Sequence, residues 1–135
     1  MTFRELEHTA DTGLEVEASS LPELLEAAAV GMFRLMYDVP GGGERRRLEF
    51  DLPDEEPAEL LYDVLAELLW RSEAEGIAVD DVEVSPTDGG WRVTAEGVEP
   101  GGVALAGPPI KAVTWHGLTA VPREDGWYGR VIFDL

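Results

Sequence analysis

The hydrophobic period of this chain switches repeatedly between two residues and about 3.6, and the order of the switches rules out most folds. Leu14, Val16 and Ala18 alternate with Glu15 and Glu17, as in a strand with one face buried. The short run Phe3-Arg4-Glu5-Leu6-Glu7 before them is read as a partner strand. Ser20-Leu21-Pro22-Glu23 is a capping box, with Ser20 offering its oxygen to backbone donors and Glu23 placed to reach back. Behind it Leu21, Leu24, Leu25, Ala28, Ala29, Met32, Leu35 and Met36 keep helical spacing to about Tyr37. Leu48, Phe50 and Leu52 return to period two. Asp54-Glu55-Glu56-Pro57 then supplies the acids and the proline that a first helical turn accepts. Leu60, Leu61, Val64, Leu65, Leu68 and Leu69 mark a second amphipathic helix ending near Gly76.

The remainder reads as strand: Ile77 to Val84, Trp91 to Val98, Ile110 to His116 and Trp127 to Asp134. Asp88-Gly89 and Asp125-Gly126 are hairpin signals, Val39-Pro40-Gly41-Gly42-Gly43 is a turn, and the Gly- and Pro-rich stretch from Val98 to Pro109 is a loop. This order lacks the strand-helix alternation that builds a parallel doubly wound sheet. It predicts an α+β fold, two amphipathic helices packed on largely antiparallel β-sheet. Its 135 residues suit a single domain, 1–135, with one core.

Charge narrows the function classes. Asp and Glu number 28 against 10 Lys and Arg, a formal charge of -18. Such a surface repels phosphate backbones, so direct nucleic-acid binding is not expected. Metal cations and basic patches on other proteins are the favoured partners. The absence of cysteine removes disulfides, thiolate catalysis and Cys-based zinc or iron-sulfur sites. No apolar run approaches the roughly 20 residues of a membrane span, and no basic leader precedes an apolar core, so a cytoplasmic protein is expected.

Chemistry is concentrated in few places. None of the four serines sits in a Gly-x-Ser-x-Gly elbow, and the two histidines, His8 and His116, have no evident triad partners. The stretch Glu7-His8-Thr9-Ala10-Asp11-Thr12-Gly13 gathers polar groups at the mouth of an alternating strand. Asp11 there has two readings, a turn residue bonding local backbone donors or a metal ligand. The closing run Val131-Ile132-Phe133-Asp134-Leu135 carries a strand to its last residue, delivering the Asp134 carboxylate beside the terminal carboxylate of Leu135. If Asp11 lies nearby, anions converge. Each pair at about 4 Å would repel by roughly 4 kcal/mol at an effective dielectric near 20, a cost that a bound cation reverses. An all-oxygen set suits Mg²⁺ or Ca²⁺ rather than zinc. Lys111 is the only lysine in a chain with nine arginines. It is either a required point charge or a product of composition bias. Arg45-Arg46-Arg47 could grip a phosphate, but in so acidic a chain it is expected to answer carboxylates.

The strings EHTADTGLEV, AAAVGMFRLMYD, IKAVTWHGL and VIFDL, in this order along the whole chain, resemble the archease family. The resemblance implies a non-enzymatic protein cofactor that activates an RtcB-type RNA-splicing ligase, promoting its GTP-dependent guanylylation and repeated turnover in tRNA splicing and RNA repair. It implies a divalent-metal site at Asp11, Asp134 and Leu135, for Ca²⁺ or Mg²⁺ with Mn²⁺ as a further candidate, and a partner-activating role for Lys111. His8, Thr9 and His116 fall inside the matching strings and are expected to support loops by hydrogen bonding. Thr12, Tyr37-Asp38 and Trp115 depart from the family's usual residues, and none of them removes a ligand. Two other readings stay open: a chaperone or specificity modulator of a tRNA methyltransferase or other RNA-modifying enzyme, and a stand-alone metal-dependent hydrolase at Asp11, Asp134 and Lys111.

Overall fold

A computed structural model of the chain describes residues 2–7, 11–38 and 44–135, the side chains of residues 5–7 excepted. The turn expected at 39–43 lies outside the described residues. The elements are β1 (Thr2–Glu7), β2 (Asp11–Ala18), α1 (Leu21–Met36), β3 (Arg46–Pro53), α2 (Pro57–Glu75), β4 (Ala78–Thr87) and β5 (Gly90–Val98), followed by β6 (Ala112–Val113), β7 (Thr119–Arg123) and β8 (Gly126–Asp134). A single 3₁₀ turn, Pro100–Gly102, interrupts the loop after β5.

The fold is α+β with antiparallel pairing throughout the described strands, divided into two sheets. The larger has the order β1-β2-β8-β6, with β7 also paired to β8, and the smaller has the order β3-β5-β4. Both helices touch both sheets. α1 packs on β2 and β8 of the larger and on β4 of the smaller, while α2 packs on β6 and β7 and on β3. This double contact explains why Ala27, Gly31 and Phe33, which lie outside the single apolar stripe read from sequence, are also buried.

The helix ends follow local chemistry. The Ser20 side chain caps α1 by accepting from the Glu23 backbone N–H at 3.3 Å. Glu23 reaches back one residue further than in an ordinary capping box, accepting from the Ser19 N–H at 2.8 Å and from the Ser19 hydroxyl. α2 begins with Pro57 in its first turn and ends at Gly76, whose φ of 69° is the left-handed cap that an L side chain resists. Midway along α1, Glu26 accepts from the Val84 N–H at 2.8 Å and so satisfies a donor of the edge strand β4.

Two strand expectations need correction. The strand read as Ile110 to His116 shrinks to Ala112–Val113, and β7 was not anticipated. Both pair with the same edge of β8, one after the other, so each is short and Trp115 to Leu118 turns between them. Pro122 disguises β7, because proline cannot donate to a ladder and is tolerated only where its nitrogen needs no partner. The three-arginine run behaves as expected. Arg45 pairs with Asp80 at 2.5 Å, Arg46 with Glu99, and Arg47 with Glu49 at 3.1 Å.

Glu55, at the head of α2, hydrogen-bonds Asp63 one turn into the helix. That bond first, and then burial, push its pKa from 4.5 up to about 7. Its Oε2 is sealed from solvent. A raised carboxyl pKa means that the folded state holds the proton more tightly, so the stabilisation is complete below about pH 4.5 and disappears as the pH rises through about 7. Glu55→Gln keeps a donor toward Asp63 without a titrating proton. Thermal melts from pH 4.5 to 7.5 are expected to show wild type losing on the order of 1 kcal/mol relative to Glu55→Gln, allowing for solvent screening. Parallel pH profiles would contradict the shared proton.

Candidate functional site

One end of the larger sheet brings together residues from opposite ends of the sequence. β2 and β8 pair antiparallel with Asp11 directly opposite Asp134, Thr12 opposite Phe133 and Leu14 opposite Val131. The hydrophobic alternation fixes this register, since Leu14, Val16, Val131 and Phe133 must all enter the core. The two aspartates consequently share the other face of the sheet, on adjacent strands, where directly opposed Cβ atoms stand about 4.5–5.5 Å apart. Asp134 is exposed and Asp11 half-buried.

The same face shows how this sheet handles charge elsewhere. Farther along the pair, Glu15 lies opposite Arg130 and is also bonded by Arg4 at 2.8 Å. The hydrogen bond from Arg4 is the first cause that holds the Glu15 carboxyl below its ordinary pKa. At the sheet end the strand partner of Asp11 is another acid. Like charges directly opposite one another repel.

Close approach of the strands is built in at Gly13, the next rung but one from Asp11. A Cβ at this position would lie 2.5 Å from the Val131 carbonyl oxygen and 2.7 Å from the Ile132 side chain. Only glycine lets β2 lie this close to β8.

Lys111 is joined to the same point through its backbone. Its N–H donates to the Asp134 carbonyl at 2.8 Å, and Ala112 is the strand partner of Asp134 on the side away from β2. Its side chain is exposed and faces α2. Leu135 packs partly against the core, which fixes the main chain beyond Asp134. The backbone N–H of His116 donates to Thr114 Oγ1 at 3.3 Å, and that hydroxyl donates to the Ile132 carbonyl at 2.9 Å. The turn is therefore tied to β8 by Thr114, while the His116 imidazole is exposed. His8 and Thr9 lie outside the described residues.

The donor chemistry at this end is carboxylate and main-chain oxygen, the set that hard divalent cations prefer. Among the described residues, no group of three or more His, Cys, Asp or Glu side chains has metal-holding geometry. A cation here would therefore draw on two side chains, main-chain oxygen and water. Also among the described residues, no helix is long and apolar enough to cross a membrane.

These features define a class: a two-helix α+β protein whose first strands and last strand converge on an acidic sheet end with one lysine beside it. The profile of the archease protein family (MTH1598/TM1083) matches residues 3–135, and the chain belongs to that family. It is similar to protein archease of Methanopyrus kandleri, 33% identical with all of both chains covered. It is also similar to protein archease of Methanothermobacter thermautotrophicus, 35% identical over 98% of each chain. The solution structure of Methanobacterium thermoautotrophicum protein 1598 superposes with a TM-score of 0.74 at 31% identity over 98% of each chain. The crystal structure of a Thermotoga maritima protein described as an archease and possible chaperone has a TM-score of 0.66 and shares the fold at 23% identity, covering 98% of this chain and 96% of that one.

Proposed function

We propose that this chain is a non-enzymatic protein cofactor of an RtcB-type RNA-splicing ligase, promoting the ligase's GTP-dependent guanylylation and repeated turnover in tRNA splicing and RNA repair. The observation that carries the reading is the rung formed by Asp11 and Asp134, two opposed acids with Lys111 bonded to the same residue, in a chain of the archease family. Asp11, Asp134 and a main-chain oxygen of Leu135 would hold the divalent ion, Ca²⁺ or Mg²⁺ with Mn²⁺ as a further candidate. When bound, the ion supplies charge neutralisation and alignment for a nucleoside triphosphate. The chain itself contributes position. The paired strands hold the carboxylates at the tip of a rigid sheet, and Lys111, tied to Asp134 through its backbone, carries a compact ammonium on the side toward α2, suited to a phosphate of the partner's nucleotide.

The test is ligase guanylylation with and without this protein. Lys111→Ala is expected to lower the stimulation at least about tenfold with the melting temperature unchanged, and Lys111→Arg to fall in between, because a guanidinium fork does not reproduce a point charge. Stimulation by Lys111→Ala equal to wild type would refute the role. The description of the Thermotoga maritima relative as a possible chaperone favours a second reading, a chaperone or specificity modulator of a tRNA methyltransferase or another RNA-modifying enzyme. A chelator separates the two. It should cancel ligase activation and leave chaperone-like support of a methyltransferase intact.

A further inference from the structure

The face of α2 turned toward β6 carries aromatic side chains that the core leaves uncovered. Tyr62, Trp70 and Glu73 face residues 111–113 across a cavity of about 200 Å³. Trp70 is 65% exposed, and Trp115 is 56% exposed although it stacks on Tyr62 with ring centroids 4.1 Å apart. Two of the four exposed large hydrophobic residues among those described, Trp70 on α2 and Trp115 stacked on Tyr62 of α2, thus border this surface. Exposed tryptophans grouped around a cavity are the usual anchors of a protein interface.

Charge selects the occupant. A second copy would bring another -18 against the first, and a nucleic acid would bring its phosphates, so both are repelled. Glu73 lies in the groove, and Glu59 and Asp63 flank Tyr62 along α2. Acid beside open indole rings matches a guanidinium, which stacks on the aromatic face while its edge bonds a carboxylate. We infer that the groove between α2 and β6 docks an arginine-bearing segment of the partner protein, with the guanidinium over Trp70 and bonded to Glu73, one helical turn away. Lys111 lines one wall of the groove and is tied by its backbone to Asp134, so a segment seated there brings the partner to the acidic sheet end. The inference rests on the ligase reading for the identity of the partner.

The experiment titrates the intact ligase with the full chain and its variants by calorimetry, at low and at physiological salt. Trp70→Ala is expected to weaken binding at least about tenfold with an unchanged melting temperature, its side chain being largely exposed, and Trp115→Ala to weaken it less, at a small cost in stability because its ring stacks on Tyr62. Glu73→Lys should weaken it further than Glu73→Gln, and wild-type affinity should fall as salt rises. Tryptophan variants that bind like wild type, or tighter binding by Glu73→Lys, would overturn the docking site and leave the ligase reading standing. A wild-type chain that does not bind the ligase would overturn both. A wild-type dimer that Trp70→Ala converts to monomer, or a labelled tRNA held by wild type and released by Trp70→Ala, would assign the groove to a different occupant and overturn the proposal.

Discussion

Phe133→Ala is expected to destabilise the protein by about 3–5 kcal/mol, the range for a fully buried phenylalanine whose removal leaves a cavity. Phe133 is completely buried, sits in the strand that joins β2 to β6 and β7, and pairs with Thr12 on one side and Val113 on the other. The side chain belongs to the same core cluster as Leu14 and Val131. At about 3 °C per kcal/mol for a domain of this size, the melting temperature should drop by about 10–15 °C. A fall of less than 3 °C in differential scanning calorimetry would show that the core is not organised around β8.

The neighbouring residue should behave in the opposite way. Asp134 is exposed, and its strand partner is another acid, so Asp134→Ala removes a repulsion and little packing, whereas Asp11→Ala also removes contacts of a half-buried side chain. Without divalent ions Asp134→Ala should melt at or slightly above the wild-type temperature. With the ion in hundredfold excess over its dissociation constant, wild type should gain about 2.7 kcal/mol and the variants nothing. The same variants should lose stimulation of ligase guanylylation by at least about a hundredfold, the scale on which a positioned charge contributes to transferring a phosphoryl-linked group. Full stimulation by either variant would detach the function from the carboxylate pair. The adjacent positions separate the two roles of β8. Phe133 holds the strand, Asp134 is what the strand presents, and one substitution lowers stability while the other lowers function.

Much of this was legible in the residues, and what was not has physical reasons. Ser20-Leu21-Pro22-Glu23 predicted the start of α1 because capping is local chemistry, and the stripe from Leu60 to Leu69 predicted α2 because its burial is one-sided. The division into two sheets was not legible, since strand pairing is decided by contacts distant in sequence: β3 and β5 form one sheet with β4, while β1 and β2 join β8 from the far end of the chain. β7 was hidden by Pro122 at a position where an edge strand tolerates it. Asp11 and Asp134 were each readable as candidates from local pattern, whereas their opposition depends on the β2–β8 register, which the core residues between them fix. The aromatic groove was missed because Tyr62 and Trp70 lie beside the leucine stripe of α2 rather than in it. The available signal was size: two large aromatic residues placed eight apart on the helix flank that the leucines do not occupy.

The most direct measurement of the proposed cation site is an anomalous difference map from crystals of the full chain soaked in Mn²⁺, with Asp11→Ala crystals as the control. The account predicts one strong peak in bonding contact with the carboxylates of Asp11 and Asp134 and with a main-chain oxygen of Leu135, absent from the control. A map without density between the two aspartates, or with its strongest peak at another acidic surface and unchanged in Asp11→Ala, would contradict it.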